Sequence, residues 1–583
     1  MTHRSQPTAL FALIAALGTT ASALGVSGVT PPPPPSTGDD VVVSGIGNNA
    51  NASAPFGEST GSVATTNGTV GSIKAFSVST VSCNIGNADA IWFAAPSNQH
   101  PVIGTQLYKY TTANGGRMEM IGLNWLKHGF CAADAANCTQ ITSPFGALIA
   151  NSSCNYLGEF ATDTYSASLN GTQSNMGPRS EVNPWTGAYV YPPTNISTTG
   201  DAVFKRVQVN VADLDAANTY VFEVTYVTTD ESGANRYNNC SYRKATWDAV
   251  NNRFNFSGST QAYLPAVAAW QVIDPAVTLV NIDPYGTGAA GTDGRFVLGY
   301  KVTALGGNQW QYEYALFNMN NDHAAQAFSV PVDARTNLTS PGWHAPLWHS
   351  GEVYNNTPWT FSNSGGIAQW AMVNDNGANS NALRWSVTQN YRFIANQPPV
   401  AGNATIQLFK TGAVSSVLVP TQVPAIPPPG GFDLVSPAPG ATGVSTTPFF
   451  TWNPSAGALT YTLTVATDAA LSNVAYTSSG MTGTVANIPS GADLAYSSTY
   501  YWAITAVGAS GNTQDNQGAA SFVTIPAPCI GDINGDGHTN TFDLGIMLKQ
   551  FGNAVPVNTE GDLNGDGVVN SIDLGILLSH FGC

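Results

Sequence analysis

The chain is 583 residues long, which predicts roughly three or four domains. Only 9% of its residues are charged, and 19 Lys+Arg against 35 Asp+Glu leave a net charge of −16. The missing basic footprint excludes nucleic acid as a partner, and 43% apolar with 10% aromatic residues excludes disorder along the whole chain.

In place of charge stand Asn, Ser, Thr, 59 Gly and 36 Pro, which favour turns and strands over long helices. The expected fold class is mainly β and multidomain. Residues 1–23 read as a signal peptide: Arg4 precedes an apolar run over 9–17, and Ala21-Ser22-Ala23 offers a cleavage site. Thr19, Thr20 and Ser22 break that run short of the about 20 apolar residues of a membrane span, and no later run reaches it. The expected protein is secreted, extracellular or associated with the cell surface, without a transmembrane segment. Residues 24–40, with five prolines in a row at 31–35, read as an extended linker.

Residues 41–410 read as a β-rich body of two subdomains dividing near 280. Tyr220, Phe222, Val224 and Tyr226 alternate with Glu223 and Thr225; Phe296, Leu298, Tyr300 and Val302 repeat the pattern, as do Trp310, Tyr312, Tyr314 and Leu316. Gly306-Gly307-Asn308 between the last two runs reads as a hairpin connection. Five of the seven cysteines lie in the body, at 83, 131, 138, 154 and 240, and no C-x-x-C pair points to zinc or redox chemistry. Disulfides are expected, with at least one thiol left over. Residues 411–431, through Pro420 and Pro427-Pro428-Pro429-Gly430-Gly431, read as a second Pro-rich linker that excludes helix or central strand.

Residues 432–526 read as a β-sandwich module. The strand with Phe450 and Trp452, the run over 460–465 and Thr499-Tyr500-Tyr501-Trp502 are separated by Gly/Ser/Pro turns. With Pro437-x-x-Gly440-Ala-Thr-Gly443-Val, they resemble bacterial fibronectin type III-like modules, which implies an immunoglobulin-like sandwich serving as a spacer or binding surface. Four acids and no Lys or Arg make it a poor electrostatic ligand site.

The tail, 529–583, carries the clearest chemistry. Residues 531–552 read GDINGDGHTNTFDLGIMLKQFG and 561–582 read GDLNGDGVVNSIDLGILLSHFG; fourteen of 22 positions match at an offset of 30. Side-chain oxygens recur at loop positions 1, 3, 5, 9 and 12: Asp532, Asn534, Asp536, Asn540 and Asp543, then Asp562, Asn564, Asp566, Asn570 and Asp573. The carbonyls of His538 and Val568 would serve at position 7, and Gly537 and Gly567 permit the sharp turn before them. Hard oxygens at this spacing suit calcium, two ions in all, and the clustered carboxylates couple its binding to folding. Leu544, Met547, Leu548 and Phe551, matched by Leu574, Leu577, Leu578 and Phe581, predict one short helix after each loop, its stripe packed inward. No amphipathic helix precedes Asp532, so these are half EF-hands.

Two such loops, each with one exiting helix and Asp at position 12, resemble the type I dockerin. The resemblance implies calcium binding and docking onto a cohesin domain or surface scaffold, in an extracellular setting where polysaccharide is often the substrate. It places partner contacts at Thr541, Phe542, Ser571 and Ile572, where Phe542 and Ile572 depart from the small hydroxyl residues common in the family. Dockerin termini lie close together, which implies a Cys529–Cys583 disulfide clasp; Phe581-Gly582-Cys583 also resembles a GC-ending subclass of dockerin-anchored secreted bacterial proteins, which makes Cys583 alternatively an attachment point.

The body resembles uncharacterised secreted proteins of that group in Cys83-Asn-Ile-Gly86, Asn98-Gln-His-Pro-Val-Ile103, Trp125-Leu-Lys-His-Gly-Phe130, the 177–184 segment and Asn381-Ala-Leu-Arg-Trp385. A catalytic reading assembles Glu181, Asp163 and His128 with His100 and Arg179, the two acids as a glycosidase pair; polar turn residues are the alternative. His344, His349 and Glu352 invite a metal reading, but their spacing fits no helical face. Trp343, Trp348 and Trp359 suit either sugar stacking or a sandwich core. Two functions remain open: a non-enzymatic anchored protein whose body binds glycan or protein, and an O-glycosyl hydrolase delivered by its dockerin.

Overall fold

The computed structural model describes residues 37–47, 63–132, 138, 152–286 and 292–583. The signal peptide and the proline run at 31–35 lie outside the described residues. The chain separates into two units, 1–425 and 426–583.

In the first unit, strand β1 (Val41–Ile46) pairs with Thr80–Asn84 in a three-stranded sheet. A seven-stranded sheet is built around β2 (Val102–Thr111), β3 (Thr219–Val227) and β4 (Cys240–Asp248), all antiparallel. Alternation places Glu223 and Thr225 on the opposite face of β3 from Tyr220 and Phe222. Both faces are buried. Tyr220, Phe222, Val224 and Tyr226 face one core, while helix α1 (Ala266–Ile273) covers the other side, where the Glu223 carboxylate accepts the Ala266 N–H at 2.6 Å.

Strands β5 (Phe296–Gly306) and β6 (Gln309–Asn318) form the predicted hairpin. Gly306, Gly307 and Asn308 all have positive φ (82°, 57° and 60°), and Gly307 and Asn308 make the two-residue connection. With β7 (Val387–Ala395) and two others they make a five-stranded sheet; β8 (Pro399–Leu408) and β9 (Ser416–Pro424) belong to a second one.

Two expectations need correcting. A division near 280 would cut the strand Thr278–Ile282, and one hydrophobic core joins Tyr108, Met118 and Tyr242 to Tyr312, Phe393 and Ile406 on the far side of it. The first unit is continuous across residue 280 because strands on either side of it bury one shared set of aromatic side chains. The middle of the linker assigned to 411–431 is also a strand: β9 pairs with β8 from Ser416 to Pro424. It lies at the edge of its sheet, where a proline costs no central ladder bond.

In the second unit, a three-stranded and a six-stranded sheet enclose Phe450, Trp452, Leu463, Val465, Trp502, Ile504 and Phe522. The helices α2 (Thr541–Gln550) and α3 (Ser571–Ser579) follow the two repeats. Disulfides join Cys83–Cys138, Cys131–Cys154 and Cys529–Cys583, leaving Cys240 as a buried thiol.

Candidate calcium centre and docking face

Each repeat folds around its first and last carboxylates. Asp532 accepts the N–H groups of Gly535, Asp536 and Gly537 at 2.8, 3.1 and 2.7 Å, which curls the loop. Asp543 accepts those of Ile533, Asn534 and Asn540 at 2.7, 3.0 and 2.9 Å. Asp562 and Asp573 repeat both patterns, Asp562 with Gly565, Asp566 and Gly567, and Asp573 with Leu563, Asn564 and Asn570. Gly537 and Gly567 take φ of 88° and 80°, left-handed values that a side chain would disfavour.

The loop-to-helix junction is a capping box. Asn540 and Asn570 accept the Phe542 and Ile572 N–H groups, while Asp543 and Asp573, at the third helical position, reach back to the cap backbone. The position-12 aspartate therefore closes the loop and starts the helix, a task its short side chain performs from a fully buried site. Burial pushes the Asp543 carboxyl up, but the Asn540, Asn534 and Ile533 N–H groups outweigh it and hold it below the usual range. The Asn564 amide and the Val568 N–H similarly lower Asp566.

Oxygens of Asp532, Asp536 and Asp543 lie within 4.8 Å of one another, as do those of Asp562, Asp566 and Asp573. That spacing matches ligands about 2.3–2.6 Å from one calcium ion. Seven acids and a single base, Lys549, across 529–583 leave the carboxylates without a local counter-charge. The donor set fits calcium.

The helical stripes are narrower than expected. Met547 and Leu577 are fully buried around Val569, with Leu544, Leu574, Ile533 and Leu563 partly buried beside them. Leu548, Phe551, Leu578 and Phe581 are exposed. A core this small has room for the i and i+3 positions only. The repeats interlock crosswise: Gly552 donates to the Val569 carbonyl and Gly582 to that of Thr539. Phe542 and Ile572, at the starts of the helices, are 72% and 59% exposed. The Cys529–Cys583 disulfide closes the 55-residue segment, as the resemblance implied.

In the body, His100 and His128 do meet, Nε2 to Nδ1 at 2.8 Å, packed by Phe130, Tyr189 and Tyr191. Burial lowers both to about 3, so the rings are neutral. Asp163 is buried on the strand Thr162–Tyr165, and Glu181 accepts the Thr194 N–H at 2.9 Å. The Arg179 guanidinium is sealed in the interior on the Asn124 carbonyl and above Trp385. His349 contacts Ser350 and the Leu123 carbonyl, and Glu352 accepts the Arg179 N–H, so His349 and Glu352 bind separate partners, and His344, His349 and Glu352 form no metal cluster among the described residues. Among the described residues only the two tail loops gather three metal-ligating side chains. Trp348 and Trp359 are core residues, and Trp343 is partly buried with its N–H on Gln389.

Sequence reasoning missed two buried acid sites. Glu223, on the strand face opposite Tyr220 and Phe222, is pushed up to about 8 by burial. Asp39, Asp40, Asp230 and Glu231 converge from positions about 190 apart; no local spacing announces them.

Residues 530–581 match the family described as "Dockerin type I domain". A solved structure named "Type II cohesin-dockerin domain from Bacteroides cellolosolvens" is 45% identical over 10% of this chain and 88% of that one, with a TM-score of 0.09. The major pilin SpaD from Corynebacterium diphtheriae is 9% identical over 74% of this chain and 85% of its own, with a TM-score of 0.17. That likeness carries no weight for the body. No curated protein matches the chain. Residues 530–581 are thus a type I dockerin domain, carried behind a mainly β chain.

Proposed function

We propose that this is an exported protein whose dockerin, loaded with two calcium ions, docks the β-rich body onto a cohesin-type module of a scaffold or cell surface. The observation that carries the reading is the pair of loops with three carboxylates each within 4.8 Å, inside the segment that matches the dockerin family. Asp532, Asn534, Asp536, Asp543 and the His538 carbonyl would hold one ion; Asp562, Asn564, Asp566, Asp573 and the Val568 carbonyl would hold the other. Asn540 and Asn570 complete each set while capping the helices. Calcium supplies the positive charge that lets three carboxylates share a loop.

The chain's own residues set the docking surface. Thr541 and Phe542 open α2, Ser571 and Ile572 open α3, and the disulfide holds the ends of the segment together. The sandwich at 432–526, fibronectin III-like in its motifs, serves as a spacer. The body is the cargo, a binding or structural element in an extracellular, polysaccharide-related setting. Calorimetry on the full chain tests the docking: two calcium ions taken up, and a cohesin bound only after that uptake, are expected. Absence of calcium uptake would refute the reading.

A further inference from the structure

The start of β1 enters the body over an unusual group of side chains. Asp39, Asp40 and Glu231 are at least nine-tenths buried, and Asp230 packs beside them. Asp39 and Asp230 lie near enough for the charge of one to act on the other, and among the described residues Asp39 Oδ2 and Asp230 Oδ1 meet no N–H or O–H donor. Buried carboxyl oxygens without a donor need something positive beside them.

The neighbours do not supply it. Asp230 Oδ2 accepts the Ile91 N–H at 2.6 Å, Glu231 accepts the Val41 N–H and the Thr228 hydroxyl at 2.6 and 3.0 Å, and Asn238 donates to Asp40 at 3.2 Å. Asn239 also donates to Glu231, and Tyr263 lies near Asp40. Arg236 is the cation facing the group, but its guanidinium donates to the backbone carbonyls of Thr228 and Glu231. The buried oxygens Asp40 Oδ1, Asn238 Oδ1 and Asn239 Oδ1 stand without partners among the described residues as well. A divalent ion is disfavoured, because these acids do not bring three oxygens within 4.8 Å as the tail loops do. What fits these buried, donor-poor carboxyls is a proton.

We propose that Asp39, Asp40, Asp230 and Glu231 form a proton-operated latch that holds the start of β1 on the body in acid and loosens it as pH rises. The contacts it secures are local. Asp40 accepts the Ile85 N–H through its carbonyl, Asn235 donates to the Asp39 carbonyl at 2.8 Å, and Val41 donates to Glu231 itself. Burial, then the charge of Asp230, raises Asp39 to about 7; burial raises Asp40 to about 7 and Glu231 well above its ordinary value. Opening the segment returns these groups to water, where they ionise near 4, so opening releases protons. The latch is at full strength below about pH 4 and is lost as pH rises through about 7.

Hydrogen exchange of the full chain, read as protection factors for residues 40–46 between pH 5 and pH 7.5, tests this. Each proton released makes opening tenfold easier per pH unit. Protection of this segment is therefore expected to fall at least tenfold from pH 5 to pH 7, and the fall is expected to flatten in Asp230→Asn and in Asp39→Asn/Asp230→Asn. Should the double variant not fold, Asp230→Asn and the wild-type profile decide. Protection independent of pH, or a fall undiminished in the variants, overturns the latch. So does protection at pH 7.5 restored by calcium, which would put a cation where the proton is placed.

Discussion

Gly561 lies directly beneath Met547: a β-carbon on the glycine would stand 3.2 Å from the methionine Cα. Gly531 and Leu577 repeat the arrangement, at 3.4 Å from the Leu577 Cα. Each helix thus rests on the glycine that opens the other repeat's loop. Both glycines also take left-handed φ, 104° and 93°. Gly561→Val should destabilise the dockerin by about 2 kcal/mol or more through strain and crowding. Circular dichroism with calcium present should show the loss of α2 and α3 together.

Asp543 joins loop to helix, so its replacement should act on both. Asp543→Asn is expected to abolish one of two calcium-binding events in calorimetry. It also weakens the α2 cap, by about 1 kcal/mol. Asp573→Asn should remove the other event. Loss of both ions from either variant would mean that the crosswise contacts make the loops one cooperative unit.

Phe542 and Ile572 contribute little to the dockerin core, because both are exposed. Phe542→Ala and Ile572→Ala should shift stability by no more than about 0.5 kcal/mol. Cohesin titration should nevertheless show weaker binding for at least one of them. Unchanged binding in the double variant would move the docking face elsewhere.

The Cys529–Cys583 disulfide closes nearly the whole dockerin. Cys529→Ser/Cys583→Ser should lower the stability of this segment by about 2–4 kcal/mol, chiefly by freeing its unfolded ensemble. Thermal unfolding with and without calcium checks this. In the wild type, thiol counting after denaturation should find Cys240 as the free cysteine among the described residues.

His100 and His128 predict an acid limb for the body. Burial holds both rings neutral with values lowered to about 3, against 6.5 unfolded. Groups lowered in the fold stabilise it fully above the unfolded value and lose that contribution as pH falls through about 3. Their contribution to global stability should therefore decline from pH 6.5 downward, by up to about 1.4 kcal/mol per unit for each ring. Urea midpoints at pH 7 and pH 5 measure it. His128→Phe should flatten the decline. The carboxyl cluster at β1 contributes to the same midpoints with the opposite sign, so the histidine part is read as the difference between wild type and His128→Phe.

The dockerin was legible in the sequence because its chemistry is local. Ligand spacing, the position-6 glycine and the capping aspartate all lie within twelve residues, and the repeat states them twice. Strand alternation in the body was legible for the same reason, as was the hairpin at Gly307-Asn308. The linker at 411–431 was misread since proline rules out a central strand, whereas β9 lies at an edge, and edge position is a property of the sheet.

What the tertiary structure decided was which faces are buried and which distant groups meet. Glu223 alternates like a surface residue, yet α1 closes over it. The helical stripes looked four residues wide, yet only Met547 and Leu577 are fully buried, with Leu544 and Leu574 partly so. Asp39 reaches Asp230 across the sheets. The sequence by itself determined the calcium loops and the strand-rich class, through short-range spacing and alternation. Burial, and with it the charge state of His100, His128, Asp39 and Glu223, came only from the packing of segments far apart in the chain.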